Sequence, residues 1–183
     1  SSAASDVYKR QGMNIPTPPY RIQKRGDVFD FPIPCVVKPA NEGSTIGVSI
    51  VKERDEIEKA IEKAFRYDRK IVIEEYIEGE EITIGIVNGK TLPVIGIKPK
   101  KGFYDYEAKY TPGMTEYLIP SGIPFELEKM ACELASKIYE FFELSGCVRI
   151  DMIVKGSTPY VIDINTSPGM TETSLVPRAW SYL

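Results

Sequence analysis

The sequence predicts an α+β protein in which most strands pair in antiparallel fashion. Short segments rich in Val and Ile alternate along the 183 residues with two segments of helical periodicity. The Asn88-Gly89 pair and the stretch KGST at residues 155 to 158 are turn signals between neighbouring strand segments. Because tight turns join antiparallel strands, whereas parallel strands need a long crossover, we expect mainly antiparallel hairpins.

The elements follow one another in a clear order. Predicted strands cover residues 34–40, 48–52, 70–77, 81–87, 90–99, 146–154 and 159–165. Predicted helices cover residues 55–67 and 125–144, where apolar residues recur every three or four positions. The second helix is expected to bury one stripe of side chains, formed by Leu127, Met130, Ala131, Leu134, Ile138 and Phe141.

The composition indicates a globular chain and excludes several function classes. With 43% hydrophobic residues the chain can bury a core, and a formal net charge of −3 without clustered Lys and Arg argues against a nucleic-acid partner. Uncharged runs are much shorter than the roughly 20 residues of a membrane span, so no membrane partner is expected. The three cysteines form no CxxC pair, which favours a reducing compartment over disulfides or a zinc site.

Histidine is absent from the sequence. This excludes Ser-His-Asp and Cys-His nucleophile systems, histidine metal ligands and the most common general base. Any catalysis must therefore use carboxylates, lysines, arginines, hydroxyl groups and a bound cofactor.

The final predicted hairpin carries a candidate metal site. Alternation places Arg149 and Asp151 on one face of its first strand, and Val161, Asp163 and Asn165 on one face of its second. If these faces coincide, two carboxylates and an amide converge at about 5 Å, which destabilises the fold unless a cation or proton is shared. Such oxygen ligands suit Mg²⁺ or Mn²⁺. The alternative is that both acids are solvated on an open sheet face.

Three further segments are candidate binding elements. The loop NEGSTIG at residues 41–47, with Lys38 upstream, could present backbone N–H groups to a phosphate, or could be a simple turn with a solvated lysine. KKGFYDYEAKY at residues 100–110 could be a lid or an aromatic loop that packs on the core. VIEEYIEGEE at residues 72–81 places Glu74 and Glu81 around a connection that could equally be a charged surface hairpin.

In their order along the chain, these segments resemble the D-alanine–D-alanine ligase family of the ATP-grasp fold. The resemblance rests on Lys38 before the Gly-Ser loop, IEEYIEGEE, FYDYEAKY, RID and INTSPGMTETSLVP, and it extends from about residue 14 to residue 178. It implies two α+β subdomains with mostly antiparallel sheets that grip ATP between them. We expect a non-native leader at residues 1–11, a central subdomain at 12–82 and a truncated C-terminal catalytic subdomain at 83–183, without the family's N-terminal domain and C-terminal helix.

The resemblance also implies site residues. ATP contacts fall on Lys38, Ser44, Glu74, Glu75, Ile77, Glu81, Phe103 and Lys109. Metal ligands fall on Asp151, Asp163 and Asn165. Substrate and catalytic positions fall on Ser44, Tyr104, Tyr110, Arg149, Ser174 and Leu175.

Three positions bear on specificity and on the ATP site. Tyr110 favours an amine nucleophile, because family members that make a D-lactate ester carry Phe there. Asp163 stands where the family usually has Glu, and Val7 falls where it has another ATP lysine.

The implied function is a cytoplasmic ligase that joins two D-alanines through an acylphosphate, for peptidoglycan synthesis. Its implied cofactors are ATP and two Mg²⁺ or Mn²⁺ ions, its partners are small molecules, and the full-length protein is expected to be a homodimer. The fragment alone is expected to be inactive. Two alternatives remain open, which are a nucleotide-binding fragment without turnover and an ATP-grasp carboxylate-amine ligase of other specificity.

Overall fold

The structure, a computed structural model, describes residues 14–41, 46–99 and 114–183. The chain divides into two compact units, Ser1–Ile77 and Glu78–Leu183. The expected boundary after residue 82 falls inside a strand of the second unit, Glu80–Val87. Among the described residues, no helix is long and apolar enough to cross a membrane.

In the first unit, the described residues form a four-stranded antiparallel sheet with one α-helix. In chain order the elements are β1 (Tyr20–Lys24), β2 (Cys35–Pro39), β3 (Ser49–Val51), α1 (Ile57–Phe65) and β4 (Lys70–Glu75). The strands lie side by side in the order β1-β4-β2-β3. The predictions for β2, β3, α1 and β4 are confirmed, with ends one or two residues shorter. β1 was not predicted, because only Tyr20 and Ile22 of its five residues are apolar.

The core of the first unit lies between α1 and one face of the sheet. Val37 of β2 pairs with Ile73 of β4, and both side chains are fully buried. The helix contributes its own stripe of buried side chains, formed by Ile57, Ala60, Ala64 and Phe65. A single 3₁₀ turn, Arg54–Glu56, precedes α1. The Glu56 carboxylate accepts backbone N–H bonds from Lys52 and Glu53 at 2.8 and 3.0 Å, which lower its pKa and fix the entry into the helix.

In the second unit, the described residues form a six-stranded antiparallel sheet with two helices. In chain order the elements are β5 (Glu80–Val87), β6 (Lys90–Thr91), β7 (Ile95–Pro99), β8 (Thr115–Leu118), α2 (Phe125–Phe141), β9 (Cys147–Lys155), β10 (Thr158–Asn165) and α3 (Leu175–Trp180). The strand order is β10-β9-β5-β7-β8, with β6 paired to β5. The predicted antiparallel pairing is confirmed in both units.

The two faces of this second sheet differ. Ile82 and Ile84 of β5 pair with Met152 and Ile150 of β9, and all four side chains are fully buried. On the opposite face, α3 packs against a cluster that includes Ile95 and Ile97 of β7. Those isoleucines pair with Thr83 and Glu81 of β5, so the polar residues of β5 share the face that α3 partly covers.

Two predictions for the second unit are wrong in detail. Residues 90–99 form two strands, because Pro93 lies between them and cannot donate a ladder hydrogen bond. The helix predicted for residues 125–144 ends at Phe141, and its buried stripe is Ala131, Ala135 and Ile138. Met130 and Phe141, which were predicted to be core residues, are 46% and 53% exposed. The small alanine side chains bring that stripe against the sheet, and Met130 is turned about 100° away from Ala131.

We predict that Gly96→Ala strongly destabilises the second unit. A Cβ at Gly96 would lie 2.0 Å from the Ser121 carbonyl oxygen and 2.9 Å from its carbon, and backbone atoms cannot move aside as a side-chain tip can. The free energy of unfolding of the full-length protein should fall by about 3 kcal/mol or more, as measured by urea unfolding.

Gly85→Ala is the matched control in the same sheet. Its Cβ would meet only side-chain atoms, at 3.0 Å from Leu92 Cδ1 and 3.4 Å from Val176 Cγ2, so a loss of about 1 kcal/mol is expected. Equal losses in the two variants would contradict the steric explanation.

Candidate functional site

The hairpin of β9 and β10 places two carboxylates directly opposite each other. Asp163 pairs with Asp151, and Asn165 pairs with Arg149. Directly opposed residues of antiparallel strands project to the same side of the sheet, and residues two apart in one strand do so as well. The structure therefore brings Arg149, Asp151, Asp163 and Asn165 to one face.

One part of the sequence prediction for this hairpin is wrong. The register shifts between Val161 and Asp163, so that Ile162 is an extra residue in β10 and forms a β-bulge. Val161, predicted to share a face with Asp163, pairs instead with Met152 and is fully buried. Beyond the bulge, Ile164 returns to the buried face while Asp163 is exposed.

The Asp151 carboxylate is buried and tightly hydrogen-bonded. Asp151 as a whole residue is only 8% exposed. Arg149 donates from Nε to Oδ1 at 2.9 Å and from Nη2 to Oδ2 at 2.8 Å, which is a bidentate ion pair. The Thr83 hydroxyl donates to Oδ1 at 2.6 Å from the neighbouring strand β5. Charge-assisted bonds of this kind fix the orientation of the carboxylate.

The oxygen atoms of this face fit a hard divalent cation. Asp151 and Asp163 offer carboxylates, and Asn165 offers an amide oxygen that accepts the Ser167 N–H at 3.0 Å, which orients the amide. Within residues 14–41, 46–99 and 114–183, no three His, Cys, Asp or Glu side chains form a group that could hold a metal ion. An ion at this face would thus need the amide oxygen besides the two carboxylates, and this donor set suits Mg²⁺ or Mn²⁺.

The first unit carries a second buried ion pair, between two of the predicted ATP-binding residues. Lys38 Nζ lies 2.7 Å from Glu74 Oε1, with side chains that are 15% and 9% exposed. Lys38 pairs with Val72, so Glu74 is its diagonal neighbour and lies within reach of a long side chain. Both side chains project from the sheet face opposite to Val37 and Ile73, and hence away from α1.

The remaining described candidates lie near these groups in sequence or on the same sheet. The Glu75 N–H donates to the Pro19 carbonyl at 2.8 Å, and the Ile77 side chain is buried. In the second unit, Glu81 pairs with Ile153 on the face that carries Asp151. Ser174 precedes α3 and accepts the Thr171 N–H on Oγ at 3.1 Å, while Leu175 is the first residue of α3 and is buried.

Five predicted site residues lie outside the described residues. They are Ser44, Phe103, Tyr104, Lys109 and Tyr110. Their assignments remain predictions.

The cysteines do not supply a nucleophile to the described site. All three are free thiols. Burial raises the pKa of Cys35, Cys132 and Cys147, and the carboxylates of Glu128 and Glu133 raise that of Cys132 further. Because the thiolate is the reactive form, these thiols are poor nucleophiles near neutral pH.

Sequence reasoning missed Thr83, which contacts the candidate metal ligand Asp151. A signal for it exists in the segment EITIGIV, where Glu81, Thr83 and Gly85 alternate with three isoleucines. This alternation predicts that one face of a strand rich in isoleucine carries polar residues. Thr83 lies in the middle of that face.

Comparisons with known proteins agree on one family. A family model described as D-ala D-ala ligase C-terminus matches residues 17–182. A D-alanine–D-alanine ligase of Syntrophotalea carbinolica is 44% identical over 188 residues, covering 98% of this chain and 61% of the relative.

Solved structures lead to the same family. The D-alanine–D-alanine ligase of Bacillus anthracis superimposes with a TM-score of 0.86 at 35% identity, covering 99% of this chain and 61% of that one. The same enzyme complexed with ATP gives 0.83 at 32% identity, covering 99% of this chain and 60% of that one. The chain therefore spans about three fifths of the length of these relatives.

We predict that Glu74→Gln destabilises the first unit by about 2 kcal/mol. The substitution keeps the shape of the side chain but leaves the Lys38 ammonium without a counter-charge at a site where both side chains are largely buried. Urea unfolding of the full-length protein measures the loss.

An exposed ion pair in the same unit provides the control. Arg21 and Asp30 lie 3.3 Å apart with side chains 51% and 84% exposed, so Asp30→Asn should cost about 0.5 kcal/mol or less. If the two variants lose the same stability, burial of the Lys38–Glu74 pair is not what makes it important.

Proposed function

This chain belongs to the family of the D-ala D-ala ligase C-terminus, and we propose that the full-length protein is an ATP-dependent ligase that joins two D-alanines. The observation that carries the proposal is the face of β9 and β10 on which Arg149, Asp151, Asp163 and Asn165 meet. An arginine beside a set of hard oxygen ligands is suited to phosphoryl transfer, which needs positioning and charge neutralisation more than an acid or a base.

The proposed metal ligands are Asp151, Asp163 and Asn165. Bound Mg²⁺ or Mn²⁺, as two ions, would neutralise charge on the β- and γ-phosphates of ATP. Asp163 and Asn165 lie two residues apart in β10, and Asp151 faces Asp163 across the strand pair. All three ligands therefore come from paired strands, which hold their spacing more firmly than loops do.

Arg149 is proposed to hold the transferred phosphoryl group and then the oxyanion at the tetrahedral carbon. Its guanidinium is a rigid fork of N–H donors that matches phosphate oxygens as well as it matches a carboxylate. In the structure two of these donors bind Asp151, so the fork is already aligned on the face where the phosphoryl group would lie.

The first unit is proposed to contribute nucleotide contacts. Lys38 would neutralise phosphate charge, and Glu74 would accept a hydrogen bond from the adenine amino group. The backbone of Glu75 and Ile77 would border the adenine. The Glu74 carboxylate is buried and directed by Lys38, which suits it to accept one specific N–H donor. Glu81, from the second unit, is assigned to the ribose.

The proposed reaction proceeds in two steps. A carboxylate oxygen of the first D-alanine attacks the γ-phosphorus, the bond to the ADP oxygen breaks, and an acylphosphate forms. The amine of the second D-alanine then attacks the acyl carbon, inorganic phosphate leaves, and the amine loses a proton.

The other predicted residues complete the proposed site. Ser44 and Tyr110 supply hydroxyl groups near the substrates, and Ser174 and Leu175 receive the carboxylate of the second D-alanine. Lys109 contacts phosphates and Phe103 contacts the nucleotide, while the segment around Tyr104 excludes water that would hydrolyse the acylphosphate.

The cellular role proposed for the full-length protein is the supply of D-alanyl-D-alanine for peptidoglycan in the cytoplasm. Its partners are small molecules, and we propose that it acts as a homodimer.

We predict that the full-length protein releases one inorganic phosphate per dipeptide, and only when both ATP and D-alanine are present. Asp151→Asn should lower the rate of phosphate release by at least about 100-fold, because it removes the buried charge that faces the metal site. Asp30→Asn, at an exposed carboxylate of the first unit, should leave the rate unchanged. Equal phosphate release without D-alanine, or release only with another acid and amine, would contradict the assignment as a D-alanine–D-alanine ligase.

A second candidate function is favoured by Asp163, whose side chain is one methylene shorter than the glutamate of the family. If this carboxylate does not reach the metal ions, the protein binds nucleotide without turnover.

We predict instead that Asp163 serves as a ligand, so Mg-ATP at about a hundred times its Kd should stabilise the full-length protein by roughly 2.7 kcal/mol in a thermal melt. Asp163→Asn should abolish the magnesium-dependent part of this shift, while Asp163→Glu should retain it. A shift seen only in Asp163→Glu would favour the second candidate.

A further inference from the structure

Thr83 is a polar residue in the interior of β5. It is 1% exposed, and the residues on both sides of it in the strand, Ile82 and Ile84, are fully buried. A buried hydroxyl group costs free energy unless it is hydrogen-bonded. Thr83 Oγ1 lies 2.6 Å from Asp151 Oδ1 and 3.5 Å from the Ile150 carbonyl oxygen, so the carboxylate is its principal acceptor.

The register places this contact in a row that runs across three adjacent strands. Thr83 pairs with Asp151, and Asp151 pairs with Asp163. The middle residue therefore has the threonine on one side and the second carboxylate on the other. Thr83 binds Oδ1 from β5, whereas Oδ2 is bound by Arg149 Nη2 at 2.8 Å from within β9.

Thr83 and Arg149 hold the same carboxylate in different ways. Arg149 has a long side chain with several torsions, and the proposed reaction also requires its guanidinium at the phosphoryl group. Thr83 is β-branched, has one stiff torsion and is enclosed in the sheet. Its hydroxyl is therefore a donor to Asp151 that need not move when Arg149 engages phosphate.

We propose that Thr83 is a positioning residue for the metal site, which rests on the proposed function of Asp151 as a metal ligand. By donating to Oδ1, Thr83 holds that oxygen towards β5 and keeps Asp151 in the orientation that metal binding needs. Groups that hydrogen-bond to metal ligands in this way typically change metal affinity by about 10- to 100-fold when they are lost.

The test compares Thr83→Val with Thr83→Ser in the full-length protein. Valine keeps the shape and β-branching of threonine but removes the hydroxyl, whereas serine keeps the hydroxyl. Mn²⁺ binding is titrated by electron paramagnetic resonance of the free ion, in the presence of a non-hydrolysable ATP analogue. Thr83→Val should weaken Mn²⁺ binding about tenfold, and Thr83→Ser should stay within about twofold of the unchanged protein.

Two further readouts separate positioning from a general loss of structure. Binding of the ATP analogue without metal should be the same in all variants, and the Mg²⁺ concentration for half-maximal phosphate release should rise in Thr83→Val without a change in KM for D-alanine. Ile82→Val, which trims a buried residue of the same strand on the opposite face, should leave Mn²⁺ binding unchanged.

The outcomes are distinguishable. Unchanged Mn²⁺ binding in Thr83→Val, even with a lower urea midpoint, or an equal loss in Thr83→Ser, overturns the positioning role while leaving the ligase proposal standing. Absence of nucleotide-dependent Mn²⁺ binding in the unchanged protein overturns the metal site itself, and the role of Thr83 with it.

Discussion

The second unit depends on how it accommodates the charge of Asp151. A carboxylate in the middle of a sheet loses most of its hydration, and this loss is tolerated only when the charge is paired and fully hydrogen-bonded. Arg149 supplies the counter-charge from two residues away on the same strand, and Thr83 supplies a neutral donor from the next strand. The sheet can therefore carry a charged group on one face while the other face remains apolar.

The first unit also contains a buried ion pair, but its geometry is different. Lys38 and Glu74 belong to neighbouring strands and meet through a single contact, whereas Arg149 and Asp151 belong to one strand and meet through two. An ammonium group is a point charge that accepts several directions of approach, but the guanidinium fork fixes the plane of its partner. The geometry of the lysine pair thus fits the proposed charge balance around a nucleotide, and that of the arginine pair fits the proposed role of holding a reacting group in one orientation.

Most of the strands of this ATP-grasp chain follow from local patterns in the sequence. The apolar run around Val37, the apolar run of β4 and the alternating isoleucines of β5 are strong enough to fix both the type and the approximate ends of those strands. α3 and β8 are short, and their apolar residues are explained only by the neighbouring residues that they cover in the fold. No local sequence pattern therefore predicts these two elements. Met130 and Phe141 were misjudged for a related reason, because small alanines rather than large side chains mark the face of α2 that meets the sheet.

The sequence is sufficient to locate the candidate site, but it does not reveal which residues hold the site's side chains in place. Carboxylate and amide positions in the last hairpin point to a metal site, and the register places them together. The partners of those groups are set by tertiary contacts. Nothing local to Asp151 reveals the threonine 68 positions earlier that donates to it, and nothing local to Lys38 reveals Glu74. The five site residues outside the described ranges rest on the family resemblance alone.

The extra residue at Ile162 has a consequence for how this strand can change over time. Val161 and Asp163 face Met152 and Asp151, which are consecutive residues of β9, so deletion of Ile162 would leave both pairings in place and give a regular strand. If Ile162 instead took the partner of Asp163, Asp163 would move to the buried place of Ile164 and put a carboxylate among aliphatic side chains. The bulge thus keeps one surplus residue out of the register, and descendants of this sequence that lose a residue at position 162 should bury the same side chains.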